Sequence, residues 1–255
     1  MSAAPPGRLL LVPGTLDHGA APVPIEQLLP LGVLQQAAAL AHWVVEDARS
    51  ARALLKRVHA LVPLALPLQA IDIRELPPPP KGPARGAGAA TDWQALLAPA
   101  LRGADLGLLS EAGLPGVADP GAPLVAAAHA AGVTVLPLPG ASAITLALAA
   151  SGLNGQGFAF VGYLPQEPAA RLARIRELQA VSQRLGQTQL LIETPYRNRA
   201  LLRALLEGLD PRTRLAVSCG LTLPDGFNRC DTVARWRGHT FVMPDRLPAV
   251  FAFLA

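Results

Sequence analysis

Short apolar runs and segments with an apolar residue at every third or fourth position take turns along nearly the whole chain. A run such as Leu106-Gly107-Leu108-Leu109 suits a strand covered on both faces, whereas Ala51, Leu54, Leu55 and Val58 form one stripe of a helix. Regular alternation of the two marks an α/β protein with a largely parallel sheet. In the first half the pattern predicts strands at 8–12, 42–45, 106–109 and 133–138, and helices at 31–41, 49–59, 92–102, 122–131 and 142–151. An extended segment at 64–73 is broken by Pro67, which cannot donate to a sheet ladder. In the second half strands are predicted at 158–162, 189–192, 215–218, 240–243 and 250–254, and helices at 169–185 and 198–209.

Pro77-Pro78-Pro79-Pro80 and the Gly/Ala-rich stretch reaching Ala90 sustain neither helix nor sheet, and predict a long surface loop. The segment from Gly152 to Gly157 reads as a hinge. The predicted organisation is an N-terminal α/β domain over 1–152 and a C-terminal α/β domain over 153–255. A ligand cleft is expected between them, because open α/β sheets take ligands beyond the carboxyl ends of their strands.

Composition narrows the class. A chain of 255 residues, 51% hydrophobic and 16% charged, buries a sizeable core, which excludes a disulfide miniprotein and general disorder. The mean hydropathy of +0.33 raises the question of a membrane span, but Pro, Gly, Arg or Asp interrupts every apolar stretch short of the ~18 residues a span needs. With no signal-peptide pattern at the start, the expected compartment is the cytoplasm. The formal charge of +4 is modest and, with Lys56 and Lys81 the only lysines, rests almost wholly on arginine. That balance suits phosphate contact and follows equally from a GC-biased genome. Cys219 and Cys230 have no CxxC or histidine ligand pattern near them and read as reduced thiols. The histidines, His18 in the first loop included, lack spacing partners, so no metal site is expected.

Candidate chemistry gathers where the predicted strands end. GxxxxGK[ST] and GxGxxG are absent, which disfavours an ordinary NTPase or dinucleotide dehydrogenase. In their place stand Pro13-Gly14, Ser110-Glu111-Ala112-Gly113-Leu114-Pro115, Ala118-Asp119-Pro120-Gly121 and Pro137-Leu138-Pro139-Gly140-Ala141-Ser142. Glycine carries no Cβ and proline fixes the turn, so such loops bring backbone N–H and C=O groups close to a ligand. Glu46, Asp47, Glu111 and Glu193 lie at predicted strand ends and are candidates for positioning or base work. For each the alternative is a helix cap or a salt bridge, and for Asp47 in particular a cap. Arg49, Arg52, Arg197 and Arg199 follow these carboxylates, where they could clamp phosphates or simply solvate helix faces.

The segment 109–153 resembles the signature region of the tetrapyrrole methylase superfamily, most of all its ribosomal RNA 2′-O-ribose methyltransferase branch. In that branch a Ser-Asp-Ala-Gly-x-Pro loop and a Ser-Asp-Pro-Gly turn precede a helix, a strand and a Pro-Gly-x-x-Ala loop. The resemblance continues at Val45-Glu46-Asp47-Ala48-Arg49, at Gly162-Tyr163-Leu164-Pro165 and at Leu191-Ile192-Glu193-Thr194-Pro195-Tyr196-Arg197, in collinear order over most of the chain. Glu46 to Arg52 taken with Ile192 to Asn198 is similar to a group of short bacterial members.

The resemblance implies two α/β domains, a homodimer, and S-adenosylmethionine held folded between the domains, largely by main-chain groups. Carried over by motif, cofactor contacts fall at Pro13, Ser110, Glu111, Ala112 and Pro115, at Ser142 and Ala143, and at Glu193, Cys219, Gly220 and Leu221. Glu193, Glu46 and Glu111 are then the catalytic candidates, and Arg49, Arg52, Arg197 and Arg199 the RNA-binding ones. The expected activity is ribose 2′-O-methylation of ribosomal RNA type. The alternatives are methylation of a tetrapyrrole or other small molecule, and a cofactor-binding regulatory protein without turnover. Three acceptor-side places depart from the branch. Pro13-Gly14-Thr15-Leu16-Asp17-His18 replaces Pro-x-Pro-Ile-Gly-Asn-Leu, Gln166-Glu167-Pro168 lacks the usual lysine, and 218–223 replaces Arg-Glu-Leu-Thr-Lys.

Overall fold

The computed structural model describes residues 5–17, 23–78, 91–239, 241–244 and 246–255. His18, most of the loop expected at 77–90, and Thr240 lie outside the described residues. The chain divides into two compact units, Met1–Ala141 and Ser142–Ala255.

In the first unit the elements are β1 (Arg8–Val12), α1 (Leu31–Ala39), β2 (His42–Val45), α2 (Ala48–His59), β3 (Asp72–Glu75), α3 (Trp93–Leu101), β4 (Leu106–Leu109), α4 (Ala122–Ala130) and β5 (Thr134–Pro137). The strands lie in the order β3-β2-β4-β1-β5, all parallel. Every residue of the central strand β4 is buried, as a continuous apolar run predicts, and Gly107 is required there because a Cβ would lie 2.6 Å from the Trp43 ring. Strand alternation divides the core in two. Leu10, Val12, Trp43, Val45 and Leu109 pack with α1 and α2, whereas Leu9, Val44, Leu106 and Leu108 pack with α3 and α4. Asp47 starts α2 by accepting from the Ser50 N–H at 2.6 Å, and Lys56, Arg57 and His59 complement the helix dipole at its other end. The extended segment expected at 64–73 is instead a 3-10 turn, Leu68–Ala70, followed by the short edge strand β3; Pro67 stays outside the ladder.

The second unit runs α5 (Ala143–Ser151), β6 (Phe158–Gly162), α6 (Pro168–Leu185), β7 (Thr188–Glu193), α7 (Asn198–Gly208), β8 (Arg214–Cys219), β9 (Phe227–Thr232), α8 (Val233–Arg237) and β10 (Ala249–Leu254). Its sheet order is β6-β7-β10-β8-β9, and only β6 with β7 is parallel. The expected parallel character therefore holds in the first sheet alone. Here β8 turns back directly into β9, and the last strand inserts antiparallel between β7 and β8. Phe251 and Phe253 face the α6 and α7 side, while Val250 and Ala252 face Ile144, Ala147 and Leu148 of α5. Because α5 packs on this sheet, the unit begins at Ser142, ahead of the hinge expected from Gly152.

Two elements escaped the pattern, and the strand expected at 240–243 is not found among the described residues. β9 is a polar edge strand, Phe-Asn-Arg-Cys-Asp-Thr, whose alternation lacks an apolar face. α8 is a single short helix capped by Thr232. In place of the strand expected at 240–243, Phe241 meets Phe227 and Trp236 edge-on at centroid distances of 5.1 and 5.3 Å, and Met243 is buried. Phe241 and Met243 thus pack their side chains without strand pairing, while Val242 between them is exposed.

Candidate functional site

At the carboxyl edge of the first sheet Val45, Leu109 and Val12 stand in one register row. The next residue of each strand, Glu46, Ser110 and Pro13, therefore leaves the sheet at the same place. Glu46 N–H still donates to Leu109 O at 3.0 Å, and Gly14 N–H donates to Gly113 O at 2.8 Å, which ties the loop after β1 to the loop after β4. The loop after β5 joins them, since a Cβ on Gly140 would fall 2.3 Å from Pro13 Cβ. Only glycine permits that approach. Three of the loops singled out in the sequence thus touch one another. Among the described residues the buried Ser110 Oγ has no hydrogen-bond partner, a costly state that a ligand group would relieve.

Carboxylates surround this edge. Glu111 N–H donates to Glu46 Oε2 at 3.1 Å, and the Ser50 hydroxyl lies 2.8 Å from Asp47 Oδ1 and 3.1 Å from Glu111 Oε1. Hydrogen bonds from Ser50 hold the Asp47 carboxyl below the usual range, so the capping alternative describes Asp47. Burial pushes Glu46 upward. The largest perturbation falls on Asp119, in the Ala118–Gly121 turn, for which the sequence suggested no role of its own. Burial, then the charges of Glu46 and Glu111, raise its carboxyl to about 7.

The loop after β1 also has an anchor that the sequence did not reveal. Asp17, 2% exposed, accepts from Thr15 Oγ1 at 2.7 Å and from Arg57 Nη1 at 2.8 Å, while Arg57 Nη2 donates to Val23 O at 2.8 Å. Arg57 sits in the last turn of α2, so this helix fixes the loop from below.

In the second unit Glu193, Ala249 and Cys219 share one register row at the end of β7. Both Glu193 oxygens are engaged by Arg197, Nε to Oε1 at 2.8 Å and Nη2 to Oε2 at 3.0 Å, and Thr194 N–H adds a third bond at 3.0 Å. The carboxylate expected as a base and the arginine expected on RNA are therefore bound to each other, which is the salt-bridge alternative. Arg199 Nε donates to Met243 O at 3.3 Å. Arg49 and Arg52 are exposed on the first turns of α2. Burial pushes the Cys219 thiol up to about 11, so it stays neutral, and its Sγ faces Leu247 O at 3.8 Å. Gly220 follows at φ 61 with its N–H on Pro248 O, and Leu221 packs with the α5 face. Ser142 is the buried N-cap position of α5, with no side-chain cap bond, and Ala143 packs beside it. Ala112 is half-buried and Pro115 buried.

Among the described residues no group of three or more His, Cys, Asp or Glu is placed to hold a metal ion, and no helix is long and apolar enough to cross a membrane. The profile of the Tetrapyrrole (Corrin/Porphyrin) Methylases matches residues 31–227. The chain is 37% identical over 129 residues to a ribosomal RNA small subunit methyltransferase I of Vibrio cholerae, covering 51% of this chain and 43% of the relative. A protein of the same name from Mesorhizobium japonicum is 39% identical over 127 residues, covering 50% and 42%. The match thus spans less than half the length of these curated relatives. Among solved structures, uroporphyrin-III-C-methyltransferase from Thermus thermophilus aligns over 97% of this chain and 94% of its own, with a TM-score of 0.53 at 21% identity. The methyltransferase CobJ aligns over 96% and 93%, with a TM-score of 0.57 at 19% identity. At such identities the likeness is one of fold.

Proposed function

The chain belongs to the tetrapyrrole methylase family, and from that premise we propose that it transfers a methyl group from S-adenosylmethionine to a ribose hydroxyl of RNA. The observation that supports this best is the meeting of the loops after β1, β4 and β5 around an unpaired, buried Ser110 hydroxyl. Those groups fit the donor, because backbone amides brought close by Gly14 and Gly140 suit its adenine and amino-acid parts. When bound, S-adenosylmethionine supplies a methyl group on a sulfonium, already a good leaving group. What remains for the chain is to hold, orient and exclude water. Pro13, Ser110, Glu111, Ala112 and Pro115 are assigned to hold it at the carboxyl edge of the first sheet, and the family resemblance implies further contacts at Ser142, Ala143, Glu193, Cys219, Gly220 and Leu221. Glu193, fixed by Arg197, serves as a positioning group, while Glu46 and Glu111 set the charge at the carboxyl edge.

The RNA acceptor is supported by the names of the curated relatives and by arginine-dominated positive charge. Arg49 and Arg52 carry that contact best, being exposed just beyond Glu46. Each alanine variant should lower the salt slope of RNA binding by about one unit and weaken all sequences alike. Filter binding from low to high salt checks this; an unchanged slope in both variants would shift the acceptor to a small molecule, as the departures at 166–168 and 218–223 favour. A homodimer working in the cytoplasm completes the reading, and light scattering at the monomer mass of 26.5 kDa would contradict the dimer.

Calorimetry with S-adenosylhomocysteine tests the donor. Ligand at 100 times its Kd should raise stability by about 2.7 kcal/mol. No heat and no thermal shift would refute the reading.

A further inference from the structure

We propose that Asp119 is the residue that takes the proton from the acceptor hydroxyl, a role that rests on the methyl-transfer reading above. Its position follows from strand alternation. Val44 and Leu108 face α3 and α4, and Val45 and Leu109 face the opposite side, so the next residues, Glu46 and Ser110, turn toward α4 again. Asp119 belongs to the turn that opens α4. The helix N-cap, Gly121, has φ 126, and a Cβ there would lie 3.0 Å from Leu108 Cδ2, so this turn rests directly on the end of β4. Asp119, two residues before Gly121, stands in this turn, where the charges of Glu46 and Glu111 reach it, and Ser110, 3% exposed with its hydroxyl unpaired, leaves the same strand end. Ala118 beside it is held at φ 67, a conformation that strains any residue with a Cβ.

The other strand-end carboxylates are committed elsewhere. Asp47 caps α2, Glu46 receives the Glu111 N–H, Glu111 meets Ser50, and Glu193 is locked to Arg197. Among the described residues no hydrogen bond or ion pair holds Asp119. The charged groups that act on it are Glu46, just after β2, and Glu111 on the β4 loop; α3 brings no charged residue, and α4 only His129 in its last turn. Burial and the two glutamates set the Asp119 carboxyl at about 7, where a group accepts a proton and gives it back at neutral pH. In the transfer the acceptor O–H bond breaks and an O–C bond forms. The C–S electron pair returns to sulfur, and the released proton ends on an Asp119 oxygen.

If Asp119 faces the reacting methyl, a positive charge placed there must ionise it. The test compares S-adenosylhomocysteine, which is neutral at sulfur, with sinefungin, which carries a protonated amine in that position, by calorimetry at pH 6.5 in buffers of different ionisation enthalpy. In wild type, sinefungin should release about half a proton or more, and S-adenosylhomocysteine far less. Asp119→Asn, an isostere of the neutral acid, should bind both compounds and release none of that proton. A carboxyl-carbon NMR titration gives a second readout, in which Glu111→Gln moves the Asp119 midpoint down and sinefungin moves it further. Heat with an unchanged proton count in Asp119→Asn, or an Asp119 signal indifferent to sinefungin, overturns the assignment alone. No heat with either compound overturns the donor reading, and the assignment with it.

Discussion

Arg57→Ala is expected to destabilise the first unit by about 3–5 kcal/mol, the cost of leaving a buried carboxylate without its partner. Asp17 is 2% exposed and, among the described residues, keeps only the Thr15 hydroxyl once Arg57 is gone. The reverse change, Asp17→Ala, should cost less, because the Arg57 side chain is 27% exposed and water reaches it. Removing both should cost less than the sum of the two, the mark of a coupled pair. Urea unfolding of the three variants checks this; single-variant losses within ~0.5 kcal/mol of wild type would place the pair among ordinary surface contacts. The same variants should weaken S-adenosylhomocysteine binding, since Arg57 holds the Thr15 to Asp17 part of the first loop.

Gly140→Ala is expected to abolish donor binding while leaving the chain folded. The new Cβ would stand 2.3 Å from Pro13 Cβ and 2.5 Å from Cγ, and a proline ring has no rotamer that clears it. The two loops must part, at about 1–3 kcal/mol of stability. Gly32→Ala is the control. A Cβ at this position in α1 meets nothing within 4 Å, so helix propensity should raise stability by about 0.5–1 kcal/mol. Binding at wild-type strength in Gly140→Ala would show that the loops after β1 and β5 do not form the site together.

Where apolar pattern alone decides structure, the chain was readable. β4 is buried on both faces and appears as an uninterrupted apolar run, and the stripe of α2 lies where its spacing puts it. β9 was not readable, because an edge strand with one wet face needs no apolar side and its pairing is supplied by β8. The run at 240–243 misled for the converse reason: Phe241 is held by an aromatic cluster and Met243 by the core, and neither needs a ladder. Glycine and proline loops signalled the carboxyl edge of the first sheet, since only backbone geometry is at stake there. Of the single charged residues, Asp47 was legible as the cap of α2, whereas the pairings of the others were not. Glu193 and Arg197 are four apart and read as independent groups until the 3-10 turn Pro195–Arg197 brings the arginine back onto the carboxylate. Asp17 with Arg57, and Asp119 with Glu46, are distant in sequence, and only the packed sheet edge makes them neighbours.

The central claim, methyl transfer, is tested most directly by incubating the purified protein with S-adenosylmethionine tritiated at the methyl group and a fractionated cell extract. The expected result is label in the RNA fraction, sensitive to ribonuclease and lost in Gly140→Ala. Label confined to small molecules would move the acceptor. No label in any fraction, although S-adenosylhomocysteine binds, would contradict the account and leave a protein that holds the donor without using it.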